Sequence, residues 1–339
     1  MKIGKVDLHS RVFVIAEIGN NHEGNFSVAQ EMLARAAETG VDAVKFQTFL
    51  AEHYVSGVDA ARLERLKRFQ LSTEQFAQLA REAQKLGVLF FSTPFDLSSA
   101  AFLDTIQPVF KIASGDNNFF PLIDAVSGYS KPMIVSTGFA DIPLLERVHA
   151  RIRANWKSAG IDPGLAFLHC VACYPVPAAQ ANLGAIRTLR ERFPDCVIGY
   201  SDHTMGVHVA PNAVAAGARI IEKHFTLDKN YSDFRDHQLS ADPADMRQLV
   251  ESVREVELMM GSGRKLPQEC EAASASAVRR SVAAGRDIPA GTTLGLSDLT
   301  WVRPGTGVPP GEESALVGGV TRRSLRIGDL ILREDVVRQ

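Results

Sequence analysis

One rhythm constrains this chain more than any other feature. A short apolar run turns polar at its last residues, and a segment with helical spacing follows. The runs are Val12–Ala16, Val41–Val44, Val88–Phe91, Val109–Phe110, Pro132–Val135, Leu165–Leu168, Val197–His203 and Ile220–His224. The intervening segments predict helices at Ser27–Glu38, with Ser27 as cap, and at Ser72–Leu86, stopped by Gly87. Others are expected at Leu97–Ile106, Leu122–Ser127, Ile142–Trp156, Leu183–Phe193, Thr204–Ala218 and Asp242–Met260. Strands separated by helices pair in parallel, because parallel neighbours need long crossovers. The runs are apolar on both faces, as strands covered by helices must be. Eight such units within the first 261 residues match an α/β fold of the closed (β/α)8 TIM-barrel type. A doubly wound open sheet is the competing arrangement, but no Gly-x-Gly-x-x-Gly follows the first strand.

A barrel brings its strand ends to one pocket. In chain order those ends carry Glu17, Lys45 with Gln47, Thr93, Lys111 with Ser114, Ser136, Tyr174, Ser201 with His203, and His224. Alternation along a strand puts Lys45 and Gln47 on one face, and Glu222 and His224 on another. Two lysines among hydroxyls suit a phosphate-bearing anion. Two imidazoles on adjacent strands suit a divalent metal.

The bulk properties exclude several other roles. A formal net charge of −2 over 339 residues offers no basic excess for nucleic acid. No apolar run is long enough for a membrane span and no secretory leader stands out, so a cytoplasmic protein is expected. The four cysteines, Cys170, Cys173, Cys196 and Cys270, are too few for a disulfide framework. Cys170 and Cys173 have redox or zinc spacing, but no second pair accompanies them. After Gly261 the pattern changes. Residues 262–278 read as a linker, and 279–339 as a small, mainly β module with strands at Ser281–Ala284, Ile288–Gly291, Leu299–Val302 and Leu325–Asp329. A module of that size is near the lower limit for a self-standing core.

The chain resembles the sialic acid (N-acetylneuraminate) synthases over nearly its full length. The matching stretches are Ile15-Ala-Glu-Ile-Gly-Asn-Asn-His-Glu-Gly24, Ala43-Val-Lys-Phe-Gln47, Phe91-Ser-Thr-Pro-Phe95 and Lys111-Ile-Ala-Ser-Gly-Asp116. Val135-Ser-Thr-Gly138, Leu168-His-Cys170 with Tyr174-Pro175, Gly199-Tyr-Ser-Asp-His203 and Glu222-Lys-His-Phe-Thr226 complete the series. The tail resembles that family's antifreeze-like (SAF) domain, with Arg303-Pro-Gly305 in place. The resemblance implies a TIM-barrel transferase that joins phosphoenolpyruvate to an open-chain N-acetylmannosamine-type sugar. It implies manganese or magnesium on His203 and His224, and phosphoenolpyruvate held by Lys45, Lys111, Ser114, Ser136 and Ser201. Glu17, Gln47, Tyr174 and Asp236 would surround the sugar and the reacting carbons. Asp116 stands where relatives carry Glu or Asp. Arg303 would reach the sugar from the second subunit of a domain-swapped homodimer.

Two positions depart from the family pattern. Ala172 replaces a frequent asparagine, and in Tyr231–Gln238 only Asp236-His237 aligns. Diacetamido trideoxy hexoses, giving legionaminic or pseudaminic acid, are alternative substrates. A Schiff-base aldolase using Lys45 or Lys111 is a competing enzyme class. Ice binding by the tail is a non-enzymatic alternative, against which the polar strand ends speak.

Overall fold

A computed structural model describes residues 1–338. The chain divides into two compact units after Gly261. The first unit opens with a small antiparallel hairpin, β1 (Lys2–Ile3) and β2 (Val6–Asp7). Eight parallel strands follow: β3 (Phe13–Gly19), β4 (Ala43–Thr48), β5 (Leu89–Pro94), β6 (Phe110–Ile112), β7 (Met133–Ser136), β8 (Leu165–Cys170), β9 (Val197–Asp202) and β10 (Ile220–His224). Their order in the sheet is β5-β4-β3-β10-β9-β8-β7-β6, so the first and last barrel strands are neighbours. Among the described residues β5 and β6 share no ladder. Beside this seam the Gln107 side chain accepts the Ser92 amide at 2.7 Å. The barrel expected from the eightfold beat is therefore present and nearly closed.

Burial explains the layering. Alternate residues, Val14, Ala16, Val44, Phe46, Ile112, Val135, Phe167, Ile198 and Ile221, pack outward against the helices. The inward set begins apolar, with Phe13, Ile15, Ala43, Phe91, Ile134, Ala166, Leu168 and Ile220, and Ile3 and Leu8 join it. One turn of the pleat further on, the inward positions become Glu17, Lys45, Lys111, Ser136, Ser201 and Glu222, all buried. The lower half of the barrel is thus a packed core, and the upper half is a polar cup. Gly199 belongs to the lower half. A Cβ there would sit 2.5 Å from Leu168 Cδ2 and 2.6 Å from Ile220 O, so only glycine lets the strands close.

Several boundaries differ from those read off the sequence. The first helix is Phe26–Ala37 and its cap is Asn25, whose side chain accepts the Val28 amide, not Ser27. The region between β9 and β10 holds only a short helix, Val209–Ala215, because Thr204 forms a parallel bridge with Val176 and Met205 to His208 form bends. The insertion at 48–70 contains helices Ala51–Tyr54 and Ala60–Phe69. Ser72 and Gln75 form a reciprocal capping box for Thr73–Leu86, and Gly87 ends that helix in the left-handed region at φ 77°.

The second unit contains two small antiparallel ladders. In one, β11 (Ser281–Ala284) pairs with β12 (Leu299–Val302); in the other, β13 (Val320–Thr321) pairs with β14 (Val336–Val337). Ile288–Gly291 and Leu325–Asp329 are not strands; Ile288 and Leu325 meet in a single bridge. The stretch read as a linker includes a helix, Ala272–Val278. Val282, Ala284, Ile288, Leu294, Leu316, Leu325 and Ile331 form this unit's own core.

Candidate active site

Register brings the polar cup together. His224 lies opposite Glu17, Glu17 opposite Lys45, Gln47 opposite Thr93, and Ser201 opposite Glu222. Lys45 Nζ sits 2.7 Å from Glu17 Oε2 and 3.6 Å from Glu222 Oε2, and it donates to Thr93 Oγ1 at 3.1 Å. Lys111 Nζ sits 3.5 Å from Glu222 Oε1 and donates to Ser136 Oγ at 2.7 Å. Ser201 donates to Glu222 at 2.9 Å, and Gln47 donates to Glu17 at 3.1 Å. Glu222 is thus the anion shared by both lysines. Burial opposes its charge, but Lys111 and Lys45 prevail and draw the carboxyl down to about 2. Burial lowers the Lys111 ammonium. Lys45 is also penalised by burial, yet Glu17 and Glu222 raise it overall. Burial raises Glu17 against the pull of Lys45, and the like charge of Glu222 adds to that rise.

The two imidazoles meet as expected. Their ring centroids are 5.5 Å apart, and the Tyr174 ring lies 4.2 Å from that of His203. His203 Nδ1 lies 2.9 Å from the carbonyl of Val171, an arrangement that orients the ring and leaves Nε2 for a ligand. His224 Nδ1 is buried with no partner. Burial, then the charge of His203, holds His224 well below its ordinary pKa, so it stays neutral as a metal ligand must. An unsatisfied neutral imidazole nitrogen beside a second oriented imidazole fits a divalent ion. A different cluster, His149, Asp195 and Cys196, also gathers possible ligand atoms. There Arg153 lies 2.8 Å from Asp195, so its positive charge disfavours a cation, and these residues are absent from the lining of the strand-end cavity.

A cavity of about 880 Å³ opens over the strand ends. Its lining includes every barrel residue expected from the sequence: Glu17, Lys45, Gln47, Thr93, Lys111, Ser114, Asp116, Ser136, Tyr174, Ser201, His203, His224 and Asp236. Ser114 accepts the Gly138 amide at 3.1 Å, and a Cβ on Gly138 would lie 2.7 Å from that hydroxyl. Burial pushes Asp116 up to about 6 and also raises Asp236. Ala172 lines the wall. Arg303 is exposed just after β12 in the second unit.

Sequence reasoning did not assign three features of the cavity. Glu222 was legible only through its parity with His224. Cys170 Sγ lies 3.7 Å from His203 Nδ1, a contact that follows from its inward position on β8. Arg62, Arg65 and Arg235 at the cavity wall left no periodic signal.

Fold and cavity define a TIM-barrel enzyme with a polar cavity at the carboxyl ends of its strands, the face on which such barrels carry their active sites. The chain belongs to the NeuB family, whose model matches residues 32–265, and an SAF domain model matches residues 279–337. It is 37% identical to the N,N'-diacetyllegionaminic acid synthase of Legionella pneumophila, over 96% of this chain and 94% of that protein. It is 34% identical to the N-acetylneuraminate-9-phosphate synthase of Mus musculus, over 96% of this chain and 92% of that protein. Among solved structures, the N-acetylneuraminic acid synthetase of Leptospira borgpetersenii, in complex with citrate, superposes with a TM-score of 0.76. That similarity covers 81% of this chain and 94% of the other, at 33% identity. No helix among the described residues is long and apolar enough to cross a membrane.

Proposed function

We propose that this enzyme condenses phosphoenolpyruvate with the open-chain form of an N-acetylmannosamine-type sugar, giving a nine-carbon 2-keto acid and phosphate. One observation carries the reading: a buried pair of lysines bracketed by hydroxyls stands in the same cavity as a pair of oriented imidazoles. The relatives' names support the product class and include legionaminic and pseudaminic acid synthases, so diacetamido sugars are the second candidate acceptors.

Phosphoenolpyruvate carries a carboxylate and a phosphate, and Lys45 and Lys111 offer a cation to each in a water-poor cup. Ser114, Ser136, Ser201 and Thr93 add hydroxyl donors. This cradle turns the methylene carbon toward the sugar aldehyde, which Gln47, Tyr174 and Asp236 would position. His203 and His224 would hold manganese or magnesium, whose contribution when bound is Lewis-acid polarisation of the aldehyde. A carbon–carbon bond forms, and the aldehyde oxygen ends as a hydroxyl. The former enol carbon takes up water, and Glu17 removes a proton from that water. The resulting tetrahedral carbon breaks its bond to the phosphate oxygen and becomes the ketone. The resemblance further assigns Arg303 to the N-acetyl side of the sugar, through a domain-swapped homodimer.

The test is a turnover panel with phosphoenolpyruvate, manganese and N-acetylmannosamine or a diacetamido trideoxy hexose. Phosphate and 2-keto acid should appear in equal amounts and stop on chelation. Absence of both products with every acceptor would refute the reading.

A further inference from the structure

The segment between β10 and the helix Pro243–Met260 reaches the cavity through Phe234, Arg235 and Asp236. It contains one helical turn, Asp236–Leu239. Four residues cannot hold a helix by their own hydrogen bonds, so tertiary contacts must set the direction of this turn. Those contacts converge on His237, which is 0% exposed and is absent from the lining of the cavity. Its Nδ1 lies 2.7 Å from Thr226 Oγ1, just past the end of β10. Its Nε2 lies 3.1 Å from Glu23 Oε1, in the turn after β3. The Tyr231 and Phe234 rings pack on the imidazole, with centroids 5.1 and 6.1 Å away.

The turn after β3 is the anchor. Glu23 also accepts from the Ser232 hydroxyl. Asn21 donates to the Phe225 carbonyl at 2.8 Å and to Ser240 Oγ at 3.0 Å. The segment is therefore gripped at its start, its middle and its end. Glu23 has its backbone in the left-handed region at φ 49°, a conformation that a residue with a side chain holds only where its surroundings impose it. Beside His237, Asp236 lines the cavity, and its Oδ1 is buried without a hydrogen-bond partner. Consecutive residues of a helical turn point about 100° apart, so a ring locked at 237 fixes the direction of the carboxylate at 236.

We infer that His237 is a positioning residue for the sugar. Bonded to Thr226 and Glu23, it holds the Asp236–Leu239 turn so that the free carboxylate oxygen of Asp236 faces the substrate, which His237 itself does not touch. The inference rests on the function proposed above, which sets Asp236 beside the sugar. Phosphoenolpyruvate should not sense His237, because Lys45, Lys111, Ser136 and Ser201 belong to the strands themselves.

The experiment measures steady-state kinetics of the full-length wild type, H237A, H237Q, D236N and D236N/H237A. Phosphoenolpyruvate, manganese and whichever of N-acetylmannosamine or a diacetamido trideoxy hexose the wild type uses are the substrates. Manganese affinity is measured separately by titration calorimetry. H237A should raise the KM of the sugar by roughly 10- to 100-fold, the cost of leaving buried partners unsatisfied. The KM of phosphoenolpyruvate and the affinity for manganese should stay within about three-fold of the wild type, a change smaller than one such bond. H237Q, whose amide can reach Glu23, should recover part of the loss. Because His237 acts through Asp236, D236N/H237A should bind the sugar no worse than D236N, to within about two-fold. If H237A does not fold, E23A breaks one arm of the bridge and should still raise the sugar KM several-fold. Multiplying losses in the double variant, an equal rise in the KM of phosphoenolpyruvate, a matching loss of manganese affinity, or an unchanged sugar KM would each overturn the inference while the condensation stands. A wild type inactive with every acceptor would sink the condensation itself, and the inference with it.

Discussion

Replacing Glu222 by glutamine removes the one anion shared by Lys45 and Lys111 while keeping the shape of the side chain. The carboxyl is 5% exposed and is drawn from 4.5 to about 2, chiefly by the two lysines acting against burial. That preference for the charged form corresponds to about 3 kcal/mol at neutral pH, within the range for breaking a buried ion pair. Urea unfolding of E222Q at pH 7 should therefore show a midpoint lowered by about that energy, with an unchanged slope. The pH dependence has a definite sign. Burial already lowers Lys111 below the ordinary 10.5, and loss of Glu222 lowers it further. A lysine depressed in the fold makes the unfolded chain the better proton binder between the two values, so the stability of E222Q should rise as pH climbs toward 10.5. Phosphoenolpyruvate should raise the unfolding midpoint of E222Q more than that of the wild type, because its charge meets less competition. A loss below about 1 kcal/mol would refute the shared-anion reading, since that is the range of exposed pairs.

The remaining predictions concern single groups. Asp116 is raised from 3.8 to about 6 by burial, so its ionisation costs stability as pH rises between those values. Asp116→Asn should gain about 3 kcal/mol at pH 7 and nothing below pH 3, measured by denaturation at several pH values. Borohydride with pyruvate should leave no adduct on Lys45 or Lys111 by mass spectrometry, because both ammoniums are tied to carboxylates; a stable adduct would favour the Schiff-base class. Truncation after Ser262 should leave a folded barrel, judged by circular dichroism, with sharply weaker use of the sugar. Unchanged sugar kinetics would exclude a role for Arg303.

The barrel was legible because its signal is local and repeated. Each strand end could be read from the abrupt change after Val44, Phe91 or Val135, and parity then assigned inward positions. That is why Lys45, Lys111, Ser136 and Ser201 were foreseen. Glu222 is equally inward, but one glutamate in Ile-Ile-Glu-Lys-His carries no mark of the two lysines it joins across the barrel. The cap at Asn25 was misread because Ser27, two residues on, is as good a capping type. The helix after β9 was overextended because apolar residues in Thr204–Ala218 include turn positions with no helical hydrogen bonds. The arginine wall depends on an insertion folding over the cavity, a tertiary fact with no short-range trace.

Turnover of phosphoenolpyruvate and sugar in oxygen-18 water, with the released phosphate read by phosphorus NMR, bears most directly on the chemistry assigned to the strand-end cup. Water that adds to the enol carbon leaves the bridging oxygen on phosphorus, so the phosphate should form without solvent label. Phosphate carrying solvent oxygen would mean attack at phosphorus, and the addition of water to the enol carbon, with Glu17 taking its proton, would be wrong.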